Sequence, residues 1–182
     1  MGPTALGSPF VDNIVLTGFM GTGKTSVGRE LGTRLGMEFV DTDEIIESRH
    51  GPIDRIFAEN GEQAFRRLER EVASELGQRR GMVIATGGRM LLDPVNLDEL
   101  TRNGRVFCLV ASPEEIHRRV TTDEIRSERP LLGGDDPQRS IAELMAERSD
   151  RYARFPQIET DHRDVVTVAD EIVRLWLATQ TT

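Results

Sequence analysis

Residues Gly18 to Thr25 read GFMGTGKT, a GxxxxGK[ST] spacing set between a short apolar run, Asn13 to Leu16, and an amphipathic stretch that begins at Lys24. That placement restricts the chain to folds in which a buried strand delivers a glycine-rich loop onto a helix N-terminus. Gly21 and Gly23 let backbone N–H groups curl round phosphate oxygens, the helix dipole adds positive potential, and Lys24 adds a full charge. Gly21, Thr22, Gly23, Lys24, Thr25 and Ser26 are therefore the candidate nucleotide contacts, with Lys24 reaching the β- and γ-phosphates and the Thr25 hydroxyl offered to magnesium. A glycine-rich turn before a purely structural helix is the plain alternative. The motif alone leaves open whether the phosphate goes to water, a protein or a small molecule.

Short apolar runs alternate with amphipathic stretches along the rest of the chain. The spacing predicts strands at Asn13–Leu16, Glu38–Val40, Met82–Ala85, Val106–Val110 and Gln157–Thr160. Between them it predicts helices from Lys24, with Val27, Leu31 and Leu35 inward, and over Asp43–Arg49, Pro52–Phe57, Gly61–Leu76, Pro94–Leu100 and Pro113 to about Val120. Two more are expected over Pro137–Phe155 and Val165–Ala178, the last burying Val165, Val168, Ile172 and Trp176. Thr121–Asp136 is polar, holds Pro130 and Gly133-Gly134, and reads as a long loop, which inside a compact domain is usually functional or disordered. Strands separated by helices imply parallel pairing through right-handed crossovers, hence a three-layer α/β/α fold on a five-stranded parallel sheet. Ligands of such sheets sit at the carboxyl ends of the strands, where the motifs of this chain fall.

At 182 residues the chain predicts one domain, 1–182, with residues 1–10 as a loose lead-in. Its 23 Lys and Arg against 31 Asp and Glu leave a net charge of −8, which repels nucleic-acid backbones and anionic lipid, so neither is an expected partner. The single cysteine, Cys108, excludes an internal disulfide and makes the cytoplasm the expected compartment. No run nears the roughly 18 apolar residues of a membrane span.

Beyond the glycine-rich loop stand DTD at Asp41–Asp43, GEQAFRRLE at Gly61–Glu69, TGG at Thr86–Gly88, RPLL at Arg129–Leu132 and RSDRY at Arg148–Tyr152. In this order and spacing they resemble the shikimate kinases, from about Asn13 to the last helix. The resemblance implies ATP and magnesium, a small hydroxy-acid acceptor and a monomer. It puts Asp41 near the magnesium with Thr25, and Asp43 on the acceptor hydroxyl as orienting group or base. Arg66 and Arg148 would hold the acceptor carboxylate, with Gly87 and Gly88 beside it and Glu69, three residues on, steering Arg66. Arg129 matches the arginine of a mobile lid, and Arg119 the residue stacked on adenine, though a solvated helix-face arginine is the competing reading. Other plain readings are a helix cap for DTD and a surface salt bridge for Arg66 and Arg67, preferred for Arg67, which points elsewhere; Phe57 and Phe65 read as core or pocket wall.

The chain departs from the family where Arg89 follows Gly87-Gly88, in place of a third glycine. The side chain either enters the acceptor pocket or points to solvent with the backbone contact intact. The span Arg119–Arg129 is also longer than usual. His50, His117, His162 and Cys108 show no ligand or nucleophile spacing and read as structural. The expected activity is phosphorylation of shikimate; the alternatives are a sibling kinase of another polyhydroxy acid or polyol and a non-catalytic nucleotide-binding relative.

Overall fold

The apolar runs lie side by side in one parallel sheet. The computed structural model describes residues 12–122 and 137–180. Its strands are β1 (Asn13–Gly18), β2 (Glu38–Asp41), β3 (Met82–Ala85), β4 (Gly104–Val110) and β5 (Gln157–Glu159), ordered β2-β3-β1-β4-β5 across the sheet. The helices are α1 (Lys24–Leu35), α2 (Thr42–His50), α3 (Ile53–Asn60), α4 (Glu62–Gly77), α5 (Pro94–Thr101), α6 (Pro113–Thr122), α7 (Pro137–Tyr152) and α8 (Val165–Gln180). This is the expected α/β/α arrangement. Residues 123–136, with Arg129 and nearly all of the expected lid, lie outside the described residues, as do residues 1–10.

The period of two along β1 sorts its side chains between two cores. Ile14 and Leu16 join Val27, Leu31, Val168, Ile172 and Trp176 beneath α1 and α8. Val15 points the other way, among Val72, Leu76 and Leu100 of α4 and α5. Ile14, Val15 and Leu16 have no exposed surface, and each such burial contributes about 1.5–3 kcal/mol. A one-residue slip would exchange the two sets, so the pairing of Ile14 with Val83 and of Val15 with Val106 is strongly specified. A third cluster, Phe19, Ala111, Ile116, Val120 and Ile141, packs α6 and α7 against the glycine-rich loop.

Three differences from the sequence reading have physical causes. β4 starts at Gly104 rather than Val106, because Gly104 continues the ladder opposite Asn13, where a Cβ would lie 2.5 Å from the Leu100 carbonyl. Met90–Leu92 form an unforeseen 3-10 turn. Val165 is 38% exposed rather than buried, since it opens α8 at the rim of the ligand cleft.

Candidate active site

A cleft of about 630 Å³ opens at the carboxyl ends of the strands, and Lys24, Thr25, Ser26, Asp41, Asp43, Gly88 and Arg119 all line it. The loop after β1 turns through Gly18, Gly21 and Gly23, each with positive φ, a region glycine enters without steric cost. At Gly18 space matters as much: a Cβ there would lie 2.2 Å from the Leu109 carbonyl. The buried Thr22 hydroxyl donates to the Phe19 carbonyl at 2.8 Å and closes the loop. Lys24 Nζ donates to the Gly18 and Phe19 carbonyls at 3.0 and 2.9 Å, laying the ammonium across the loop.

Asp41 does two things at once. Its Oδ1 accepts from the Asp43 N–H at 3.0 Å, capping α2, and its Oδ2 accepts from the Thr25 hydroxyl at 2.9 Å. The cap reading of DTD is realised, and the cap aims the second oxygen at Thr25. Two adjacent hard oxygens, one of them a carboxylate, fit magnesium, which takes few protein ligands and completes its shell with water and phosphate. Among the described residues no cluster of three or more His, Cys, Asp or Glu could hold a metal.

Asp43 faces Gly87, where a Cβ would lie 2.6 Å from Asp43 Oδ1 and 3.4 Å from Glu69 Oε1. The need for glycine here is spatial; its φ is not positive. Its N–H donates to the buried Thr42 hydroxyl at 2.9 Å, which locks the end of β3 to α2. At Gly88 a Cβ would make ordinary contacts, 3.6 Å from the Gly18 carbonyl and 3.9 Å from Arg148 Nη1.

Arg66 and Arg148 flank this point. Arg66 Nη1 donates to Glu69 Oε2 at 2.6 Å, and Glu69 is only 1% exposed, so the one-face spacing expected on α4 is realised. Arg66 also opens on a hollow outside the cleft, with Glu62, Gln63, Arg67 and Arg70. Arg148 is buried and stacks over Phe19 at 5.2 Å. Arg67 is exposed and makes no ion pair among the described residues, contrary to expectation. Phe65 is buried in the core beside Val72 and Leu76, and Phe57, 37% exposed, lies with its ring 4.9 Å from that of Phe65.

Burial pushes the Glu69 carboxyl above the ordinary glutamate range against the opposing charge and hydrogen bond of Arg66, and Asp43 raises it further. As pH falls, Glu69 therefore takes its proton before an exposed glutamate does, and Arg66 loses its anchor. The expected result is an acceptor KM that climbs on the acid side with a midpoint above the usual carboxylate value. Initial rates of Glu69→Gln across pH check this, because the variant should lack that limb.

At the other end, Arg119 departs from a solvated position. Its Nε donates to Glu115 at 2.8 Å, Nη1 to the Gly21 carbonyl and Thr160 hydroxyl at 3.1 Å, and Nη2 to the Thr160 carbonyl at 2.7 Å. The arginine thus ties α6 to the phosphate loop and to the turn after β5. Hydrogen bonds from Arg118, then Arg119, hold the Glu115 carboxyl down at about 2, despite its burial. His162, read from the sequence as structural, lines the cleft instead, with φ of 54°. Neither Glu115 nor Thr160 carries a sequence signal; a turn directly after a parallel strand is the only hint for His162. Cys108 is buried and its thiol is pushed up to about 11, as suits an inert core residue.

The family model described as shikimate kinase matches residues 20–176. The chain belongs to the shikimate kinase family. It is 42% identical over 174 residues to the shikimate kinase of Moorella thermoacetica, covering 93% of this chain and 98% of that one. With the shikimate kinase of Caldanaerobacter subterraneus subsp. tengcongensis the identity is 40% over 168 residues, 91% and 96% of the two chains. Among solved structures, shikimate kinase from Acinetobacter baumannii in complex with shikimate superimposes with a TM-score of 0.86 at 34% identity, covering 96% of this chain and 97% of that one.

Proposed function

We propose that the protein transfers the γ-phosphoryl group of ATP to a hydroxyl of shikimate, giving 3-phosphoshikimate and ADP. The observation that carries this reading is the juxtaposition of the Lys24–Thr25 phosphate loop with Asp43, which packs against Gly87 next to the Arg66–Glu69 pair. The acceptor oxygen bonds to the γ-phosphorus as the bond to the β-bridging oxygen breaks, and the hydroxyl proton passes to Asp43. Lys24 offsets charge on the phosphates, and Arg66 and Arg148 hold the acceptor carboxylate with Gly87 and Gly88 alongside. Gly21, Thr22, Gly23 and Ser26 contact phosphate. Arg119, with four of its five donors engaged by the protein, offers the flat face of its guanidinium to adenine.

Thr25 and Asp41 are the residues that would hold magnesium, which would offset negative charge on the phosphates. Arg129, outside the described residues, enters by family resemblance as the arginine that closes over the phosphates. No helix among the described residues is long and apolar enough to cross a membrane. We place the enzyme in the cytoplasm as a monomer, with ATP and a small acceptor as its partners and no nucleic acid or membrane.

Arg89 favours one second reading, a kinase for another small polyhydroxy acid. Assay of shikimate, gluconate and an inositol with ATP and magnesium separates the two: shikimate should exceed the others in kcat/KM by at least about 100-fold, the inositol because it leaves the paired arginines unmatched and gluconate because its open chain does not hold a hydroxyl in a fixed place relative to its carboxylate. In the same assay Arg66→Lys, which keeps the charge but loses the fork, should raise the shikimate KM about tenfold and the ATP KM less than about twofold. Equal rates for all three acceptors would sink the shikimate assignment and leave the reaction class standing.

A further inference from the structure

Arg89 stands on ordinary backbone, φ −116° and ψ −4°, so nothing in its conformation calls for glycine. The segment that carries it is held from behind by the end of α7. The Tyr152 hydroxyl donates to the Gly88 carbonyl, Arg154 to the Leu91 carbonyl at 3.0 Å and Arg151 to the Leu92 carbonyl at 3.2 Å. Arg89 therefore leaves the carboxyl end of β3 at a fixed place, directly after Gly88, which lines the cleft.

Its guanidinium reaches Glu62 Oε1 at 3.3 Å. The same oxygen accepts from Arg66 Nε at 3.2 Å and Nη2 at 3.0 Å. Two guanidiniums thus converge on a single carboxylate oxygen, and one of them also grips Glu69 beside Asp43. The inner and outer partners of Arg66 differ sharply: the Glu69 side chain is 2% exposed and that of Glu62 is 52% exposed. A half-exposed ion pair contributes little and exchanges readily, whereas a buried one stays. Burial raises both the Glu69 carboxyl and the Tyr152 phenol, and the charge of Arg89 is a small opposing influence on each.

We propose that Arg89 is a specificity-determining residue of the acceptor site: together with Arg66 it receives the acceptor's carboxylate, and Glu62 keeps the two guanidiniums converged until that carboxylate replaces it. The proposal rests on the reading of this site as a hydroxy-acid kinase. It gives the enzyme one more cation toward an anionic acceptor than a glycine at this position supplies, and hence a steeper preference for acids over neutral polyols.

Steady-state kinetics of the wild-type enzyme, Arg89→Ala and Arg89→Gly with shikimate and with its uncharged carboxamide test it, at saturating ATP and magnesium. Arg89→Ala and Arg89→Gly should each raise the shikimate KM about tenfold and change the carboxamide KM less than about twofold, the size of one lost charge-assisted contact. The ratio of the two acceptors' kcat/KM values then falls about tenfold, a change that a merely structural role does not produce. Glu62→Gln, which removes the competing charge, should lower the shikimate KM about two- to threefold. Unchanged shikimate KM in both Arg89 variants, or an equal rise for both acceptors, overturns the proposal, and a raised KM in Glu62→Gln overturns the exchange. Wild-type enzyme that phosphorylates neither compound overturns the hydroxy-acid kinase reading itself, and this proposal with it.

Discussion

Lys24→Met is expected to cut kcat/KM by at least about 1000-fold, because it removes a full positive charge aimed at the oxygens on which negative charge accumulates during transfer. Methionine retains the length of the side chain but cannot donate. The lysine lies over the loop, on the Gly18 and Phe19 carbonyls, and the loop's closure is separately held by Thr22. Stability should consequently fall by no more than about 1–2 kcal/mol, the value of one or two partly exposed hydrogen bonds. ADP release in a coupled assay, set beside a thermal melt, separates the two effects. A variant within about tenfold of wild-type kcat would remove Lys24 from the chemistry.

Asp43→Asn is expected to lower kcat by about 10²- to 10⁴-fold, the span ascribed to a positioned general base, while the acceptor KM moves far less. The substitution is nearly isosteric, and isostery matters because Oδ1 is buried and fills the space that a Cβ at Gly87 would need. A second consequence follows from charge. The Asp43 carboxylate is one of the groups that raise the Glu69 carboxyl. Its neutralisation lets Glu69 release its proton more easily, so the acid limb of the acceptor KM should move to lower pH in Asp43→Asn. Measurement of kcat and KM across pH reads both effects, and a limb that moves upward would break the link between the two carboxyls.

Much of the site was legible because its determinants are local. GFMGTGKT shows its loop and its helix within eight residues, and glycine at Gly21 and Gly23 is demanded by backbone angles that the motif already implies. The spacing of Arg66 and Glu69 forecast their ion pair, since residues three apart share a helix face. His162 and Val165 were misread for the converse reason: each was judged from its own segment, and the cleft that claims them is walled by α6 and the phosphate loop. The clamp on Arg119 was invisible, because its partners Gly21 and Thr160 are 98 and 41 residues away.

From the residues alone came the strand–loop–helix around Lys24, the alternation that makes the sheet parallel, and a net charge of −8. Those are consequences of periodicity, glycine conformation and net charge, which need no knowledge of which segments meet. What the fold alone decided is where Arg89 points. Its partner Glu62 lies 27 residues earlier, and its backbone is held by Tyr152, which lies 64 residues beyond Gly88. Contacts between segments that distant exist only once β3, α4 and α7 have been packed together, so no spacing along the chain could have foretold them.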